Sequence, residues 1–333
     1  MALRLIEIVI PSGSVDDLFD QCDDEHILDR WAQPIGDDTS LIRMLVNAEK
    51  TEALMDPLQD HFSSLQPFRV MLLPVEATLP RPKPVESTKR SNGEGNSPER
   101  IGREELYADI AESAELSRVF AAEVVIATLV AAVGLMRNDT AIIIGAMVIA
   151  PLLGPNMSLC LATTLGDWNL VFKSLRTNAV GLSIALVASL VVGVCFAIDP
   201  NGDAIRSRTE VGMGDIVLAL ASGCAGVLAF TTGAPSALVG VMVAVALLPP
   251  FAVFGLLLAV GEFDSAKGAL LLTATNVICV NLAGVLTFLA QGVGPRTWWE
   301  TERAKKATRL AILTWVVLLG ILVVLIHLAT DAP

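Results

Sequence analysis

The sequence predicts an α-helical polytopic membrane bundle of about seven crossings, built as two inverted three-helix repeats with proline-broken helices and joined to an N-terminal α+β ferredoxin-like domain. Three observations predict it. Of the 333 residues, 53% are hydrophobic and only 17% charged, with a mean hydropathy of +0.61, against roughly 45–50% and 25% in a soluble domain. Residues 1–116 hold 23 acids and 11 bases, whereas the rest holds 12 of each. An eleven-residue apolar segment also recurs 95 positions further on. The first observation argues against a purely soluble enzyme. The acidic front, without a basic cluster, argues against a nucleic-acid partner.

Residues 1–77 form the expected ferredoxin-like domain. LRLIEIVI from Leu3 alternates as a half-buried strand does and is broken at Ser12-Gly13-Ser14. A helix is expected over Val15 to Cys22, strands over 26–33 and 40–47 around Gly36-Asp37-Asp38, a helix over Lys50 to Leu65, and a last strand from Phe68. The order βαββαβ points to a ferredoxin-like sandwich. No GxGxxG, P-loop or acid–histidine constellation accompanies it, so the domain is expected to serve assembly or ligand sensing. MALRLIEIVIPSG carries charges within its apolar stretch and no small-residue cleavage site, so no signal peptide is expected and the domain is placed in the cytoplasm.

Residues 78–98 are rich in Pro, Ser, Gly, Asn and charge, with nothing to bury, and read as a flexible linker. Residues 99–117 read as an amphipathic helix with Ile101, Tyr107, Ile110 and Ala114 on one face. Its acidity suits a protein neighbour, a homo-oligomer contact, better than anionic lipid.

Seven stretches are apolar enough to cross a ~30 Å core: 119–136, 140–165, 178–198, 215–233, 235–260, 265–290 and 308–329. The first three make repeat A (118–198), the next three repeat B (215–290), and 308–329 is an additional transmembrane helix. Lys173, Arg176 and the bases between Arg296 and Arg309 fall on one side, and this bias sets the N-terminus inside an inner (plasma) membrane. Gly181, Ala185, Ser189 and Gly193 form one small-residue stripe, and Ala221, Ala225 and Ala229 another; both are read as close helix packing.

GAMVIAPLLGP (145–155) aligns without gaps on GVMVAVALLPP (240–250), and the same offset pairs Gly166-Asp167 with Gly261-Glu262. Three crossings per half require the second copy to enter upside down, the architecture of secondary transporters. A proline inside a helix frees the carbonyl four residues earlier. Pro151 and Pro155 would free those of Met147 and Pro151, and Pro249 and Pro250 those of Val245 and Ala246. In hydrocarbon each needs a substitute partner, so the paired breaks are the expected site. Asn156 and Ser158 follow the first break, while Asn276 and Asn281 lie inside an apolar crossing and can both donate and accept. Glu123 is the one carboxylate within a spanning stretch.

At REELYADI (103–110), IIIGAMVIAPLLGP (142–155), Gly166-Asp167 and VALLPP (245–250), the chain resembles the bacterial and archaeal family known as domain of unknown function 389. The resemblance covers roughly 100–290 and implies an integral membrane protein, with no substrate or functional residue to carry over. The five cysteines form no CxxC pair and the histidines are scattered, so neither enzyme chemistry nor a metal or cofactor is expected. The function expected is secondary transport of a small solute or ion. The alternatives are an ion channel and a membrane-anchored sensor or scaffold acting through the N-terminal domain.

Overall fold

The computed structural model describes residues 3–22, 27–75, 78, 102–232, 247–294, 309–310 and 312–324. The chain divides into two compact units, residues 1–106 and 107–333.

In the first unit, β1 (Leu3–Pro11), α1 (Val15–Gln21), β2 (Ile27–Pro34), β3 (Thr39–Asn47), α2 (Thr51–Phe62) and β4 (Arg69–Val75) follow the expected βαββαβ order. The sheet is antiparallel throughout, with strand order β2-β3-β1-β4. Alternation decides its faces: Ile6, Ile8 and Ile10 of β1 and Ile42, Met44 and Val46 of β3 are buried together with Leu18, Leu54, Leu58 and Phe62 of the two helices. On the opposite face, the Glu7 and Arg43 side chains pair at 2.6 Å across adjacent strands. The first turn of α3 (Arg103–Ser113) completes this unit. Arg4 forks onto Glu105, with Nε 2.9 and 3.0 Å from the two carboxylate oxygens and Nη2 2.6 Å from Oε1.

The described part of α3 is shorter than the stretch expected for it, and its buried residues are Leu106 and Ile110, followed by Ala114. Tyr107 lies outward instead, because its hydroxyl donates to Asp167 Oδ2 at 2.7 Å.

The second unit is helical: α4 (Arg118–Met136), α5 (Thr140–Ile149), α6 (Leu153–Leu165), α7 (Trp168–Cys195), the short α8 (Asp203–Arg206), α9 (Met213–Thr231), α10 (Leu248–Val260), α11 (Phe263–Ala290) and α12 (Ile312–Val324). Four of these, α4, α7, α9 and α11, are long and apolar enough to cross a membrane, and α5 with α6 makes a fifth candidate bent by 54°. At 1.5 Å per residue the two arms advance together about 28 Å, close to the hydrocarbon thickness. Among the described residues, 13-residue α10 and α12 are too short to cross by themselves.

Side-chain distribution fits a membrane solvent. Along α7 the buried face carries Ser174, Thr177, Gly181, Ala185, Ser189 and Gly193, while Phe172, Leu175, Val187, Val191 and Val194 face outward. On α4, Val119, Ile126 and Val133 are likewise exposed and Thr128, Ala131 and Ala132 buried. Small and polar residues inside with branched apolar residues outside is the reverse of a water-soluble helix. These apolar helices mark the second unit as membrane-embedded.

The α7 stripe packs as expected, but the α9 stripe does not. Ala221 is exposed, and the buried face is Ser222, Gly223 and Gly226, because a side chain at Gly223 would meet the Val280 carbonyl of α11 at 2.5 Å.

Helix bounds recur at a constant interval. The 19-residue α4 and α9, the 13-residue α6 and α10, and the 28-residue α7 and α11 each begin 95 positions apart. Left-handed glycines end α6 and α10 at the same interval, Gly166 with φ 73° and Gly261 with φ 83°. The partner of α5 would fall on 235–244, outside the described residues.

Candidate functional site

Close contacts fix the relative heights of the helices. Gly166 and Asp167 turn the chain sharply between α6 and α7, and Leu152, Asn156 and Ser158 lie against Gly181, Asn178 and Ser174. The two helices therefore run antiparallel, in a fixed register. Leu152, at the break, touches Gly181, the fourteenth of the 28 residues of α7. A side chain at Gly255 of α10 would run into Ser189 of α7, and one at Gly193 of α7 into Ala259 of α10. Hence α10 runs parallel to α7, and Leu248, eleven residues before Ala259, stands level with residue 182. The N-termini of α6 and α10 share one level at the middle of α7 and lead away from it in opposite directions.

The break has a local cause. Ala150 takes an extended conformation, φ −68° and ψ 120°, as a residue before proline prefers, and this ends α5. Pro151 and Leu152 form the turn. Pro155, however, is the third residue of α6, and Pro249 and Pro250 are the second and third of α10. In a first turn the N–H has no intrahelical partner to lose. These three prolines start half-helices, which corrects the reading of them as breaks in helix interiors. Val245 and Ala246 lie outside the described residues.

Below the break the structure assembles a buried, uncharged hydrogen-bond chain. Asn156, 3% exposed, donates from Nδ2 to the Leu152 carbonyl (2.7 Å) and to Asn178 Oδ1 (3.1 Å). Asn281, fully buried, donates to Asn156 Oδ1 (3.1 Å) and to the Val277 carbonyl (2.8 Å). The Cys160 thiol lies 3.4 Å from Asn281 Oδ1. Ser158 and Ser174 hydroxyls lie 2.8 Å apart, and Ser174 Oγ is also 2.8 Å from the Leu170 carbonyl. The chain has a direction, because Asn156 and Asn281 each commit one N–H to the carbonyl four residues earlier on their own helices. At its far end the Asn178 amide nitrogen has no acceptor among the described residues. A buried amide left unbonded would cost about 1–3 kcal/mol, so this ordering fixes the α6–α7–α11 contact.

Of the residues expected at the site, Asn156 and Asn281 are joined directly and Ser158 lies two residues along α6. Asn276 is buried on α11, 6% exposed. Glu123 is half-buried on α4 and bonds none of this chain among the described residues. Asn178 and Cys160 were missed as site members. Asn178 follows Arg176 so closely that it reads as an end residue, and Cys160 resembles ordinary small packing. No Asp, Glu, Lys, Arg or His is fully buried among the described residues, and none of those residues form a metal-ligand cluster.

The model of the family described as Domain of unknown function (DUF389) matches residues 147–282, which include every member of the amide chain. The chain is 36% identical over 329 residues to the uncharacterised protein MJ0678 of Methanocaldococcus jannaschii, covering 98% of this chain and 99% of that protein. No solved structure matches.

Proposed function

Since the chain belongs to the family of domain of unknown function 389, whose description assigns no activity, we propose from the site itself that this is a secondary transporter of a small polar solute or ion. The observation that carries the proposal is that two half-helix N-termini stand at one level of α7 and lead away from it in opposite directions, with a buried polar chain beside that of α6. The constant 95-residue interval between helix bounds supports duplication, and the opposite directions of α6 and α10 support inversion of the second copy.

Exchange of packing between halves gives further support: α6 packs on α11 and α10 on α7. Cys160 meets Gly284 on one seam, and 95 positions on, Gly255 meets Ser189 on the other. The polar chain occupies one seam only. The positions corresponding to Asn156 and Asn281 are Phe251 and Leu186, so amides recognise the cargo on one side of the pseudo-axis and apolar packing guides movement on the other. Every described N–H of Asn156 and Asn281 is engaged, so a solute binds by replacing the Asn156–Asn281 bond and opening the seam between the halves. The positive-inside bias supports an inner-membrane protein with a cytoplasmic N-terminus.

The test is flux into proteoliposomes across a panel of labelled alkali cations, halides and neutral amino acids. One class should show saturable uptake with counterflow, reduced at least about tenfold in Asn156→Ala and Asn281→Ala while insertion is normal. Unchanged uptake in both variants, or large single-channel currents, would refute the carrier.

A further inference from the structure

Two cavities follow one face of α7. The first, of about 530 Å³, is lined by Glu115, Leu116, Phe172, Lys173, Arg176 and Thr177. The second, of about 500 Å³, is an apolar groove between Val125 and Leu129 of α4 and residues 183–191 of α7, among them Val187 and Val191. On a 3.6-residue helix, positions 172, 176, 183, 187 and 191 fall within an arc of about 100°, so the groove continues the line of the first cavity.

The charge changes between the two cavities. From Arg176 no charged residue occurs until Asp199, a run long enough to cross the hydrocarbon. Arg176 therefore stands at the polar boundary, with Phe172 and Trp168 exposed one and two turns earlier where interfacial aromatics belong. Lys173 Nζ is 2.9 Å from Glu115 Oε1, which neutralises it. Arg176 is exposed and has no hydrogen bond or ion pair among the described residues.

The pocket is not a requirement of the helical framework. Ninety-five positions on, Lys173, Arg176 and Thr177 become Gly268, Leu271 and Leu272, and any side chain at Gly268 would strike the Thr209 carbonyl. There the preceding segment packs directly on the helix. Here Lys173 and Thr177 hold it off through the Ala111 and Ala114 carbonyls, at 3.4 and 2.9 Å, and a cavity opens.

We propose that this seam of α4 and α7 binds one anionic phospholipid, its phosphate on Arg176 at the mouth of the first cavity and an acyl chain in the apolar groove. A guanidinium suits a phosphodiester by charge and by its fork of donors, and only a lipid fills both a basic pocket and the greasy channel continuing from it. The inference is independent of what the bundle carries.

Native mass spectrometry of the detergent-purified full chain with phosphatidylglycerol, phosphatidylcholine or inorganic phosphate tests it. Phosphatidylglycerol should be retained over phosphatidylcholine, with retention falling about fivefold in Arg176→Gln, the loss expected of one cation near an anionic headgroup. Arg176→Lys should keep most of the binding, and Val187→Trp, which fills the groove, should lose it with Arg176 intact. Equal retention of the two lipids, or no effect of Arg176→Gln, overturns the proposal. Displacement by inorganic phosphate alone would reassign the pocket to a free oxyanion. Cross-linking of Val187→Cys between copies would assign the groove to a second copy of the chain.

Discussion

Replacing Gly284 with alanine tests the two-fold relation of the seams at a single atom. A Cβ there would lie 2.6 Å from Cys160 Sγ and 3.2 Å from Cys160 Cβ, with Val227 Cγ2 at 3.6 Å. Overpacking of this kind costs about 1–3 kcal/mol, while alanine returns up to about 1 kcal/mol of helix propensity over glycine. The net loss expected is about 1–2 kcal/mol, roughly a tenfold shift in the unfolding equilibrium. The companion variant is Cys160→Gly with Gly284→Ser, which gives this seam the Gly255–Ser189 composition of the other. It should recover most of the loss despite forfeiting the thiol contact to Asn281, because glycine removes both offending atoms. Equilibrium unfolding of the purified protein in mixed micelles reads both. If Gly284→Ala is as stable as the parent, the seam is looser than described. If the exchanged pair is no better than Gly284→Ala, the two seams are not equivalent.

Two further outcomes follow from contacts outside the spans. Burial first, and then the Asp167 bond, push the Tyr107 phenol up to about 12 from an ordinary value of 10.0. The folded state thus holds its proton more tightly than the unfolded chain: this stabilisation is complete below pH 10, shrinks between 10 and 12, and is gone above. Tyr107→Phe should flatten that alkaline slope, and a melting-temperature profile with the parent slope would contradict it. In the first unit, Arg4→Ala strands the Glu105 carboxylate of a pair whose two side chains are 11% and 18% exposed. A pair between surface and buried limits should cost about 2 kcal/mol, seen as faster hydrogen exchange at the Leu106 amide and largely relieved by adding Glu105→Ala; unchanged exchange would contradict it.

What the sequence made legible was set by period and punctuation. Alternation placed β1, β3 and β4 within a residue or two, and Gly166 and Gly261 ended α6 and α10 because only a left-handed residue closes those turns. The break at Pro151 was legible for the same reason. The role of Pro155, Pro249 and Pro250 was not, since apolar flanks hide where a helix begins and a proline in the first turn reads like one in the interior. Asn156 and Asn281 stood out as polar residues in apolar runs, but their pairing across 125 positions is a tertiary fact. Asn178 and the Lys173–Arg176 pocket were hidden because residues beside a charged end read as solvated, and the face of α9 was misread because alanine is common on lipid-facing and buried sides alike.

The keyed orientation of the asparagines has a consequence for the order of the buried amides. Because the Leu152 and Val277 carbonyls pin Asn156 and Asn281, the row cannot reverse. Each amide oxygen of the row keeps a second lone pair and the Asn178 nitrogen keeps its hydrogens, so the order of the row is fixed while both poles stay available along it. Two main-chain oxygens thus set the sense of the whole row.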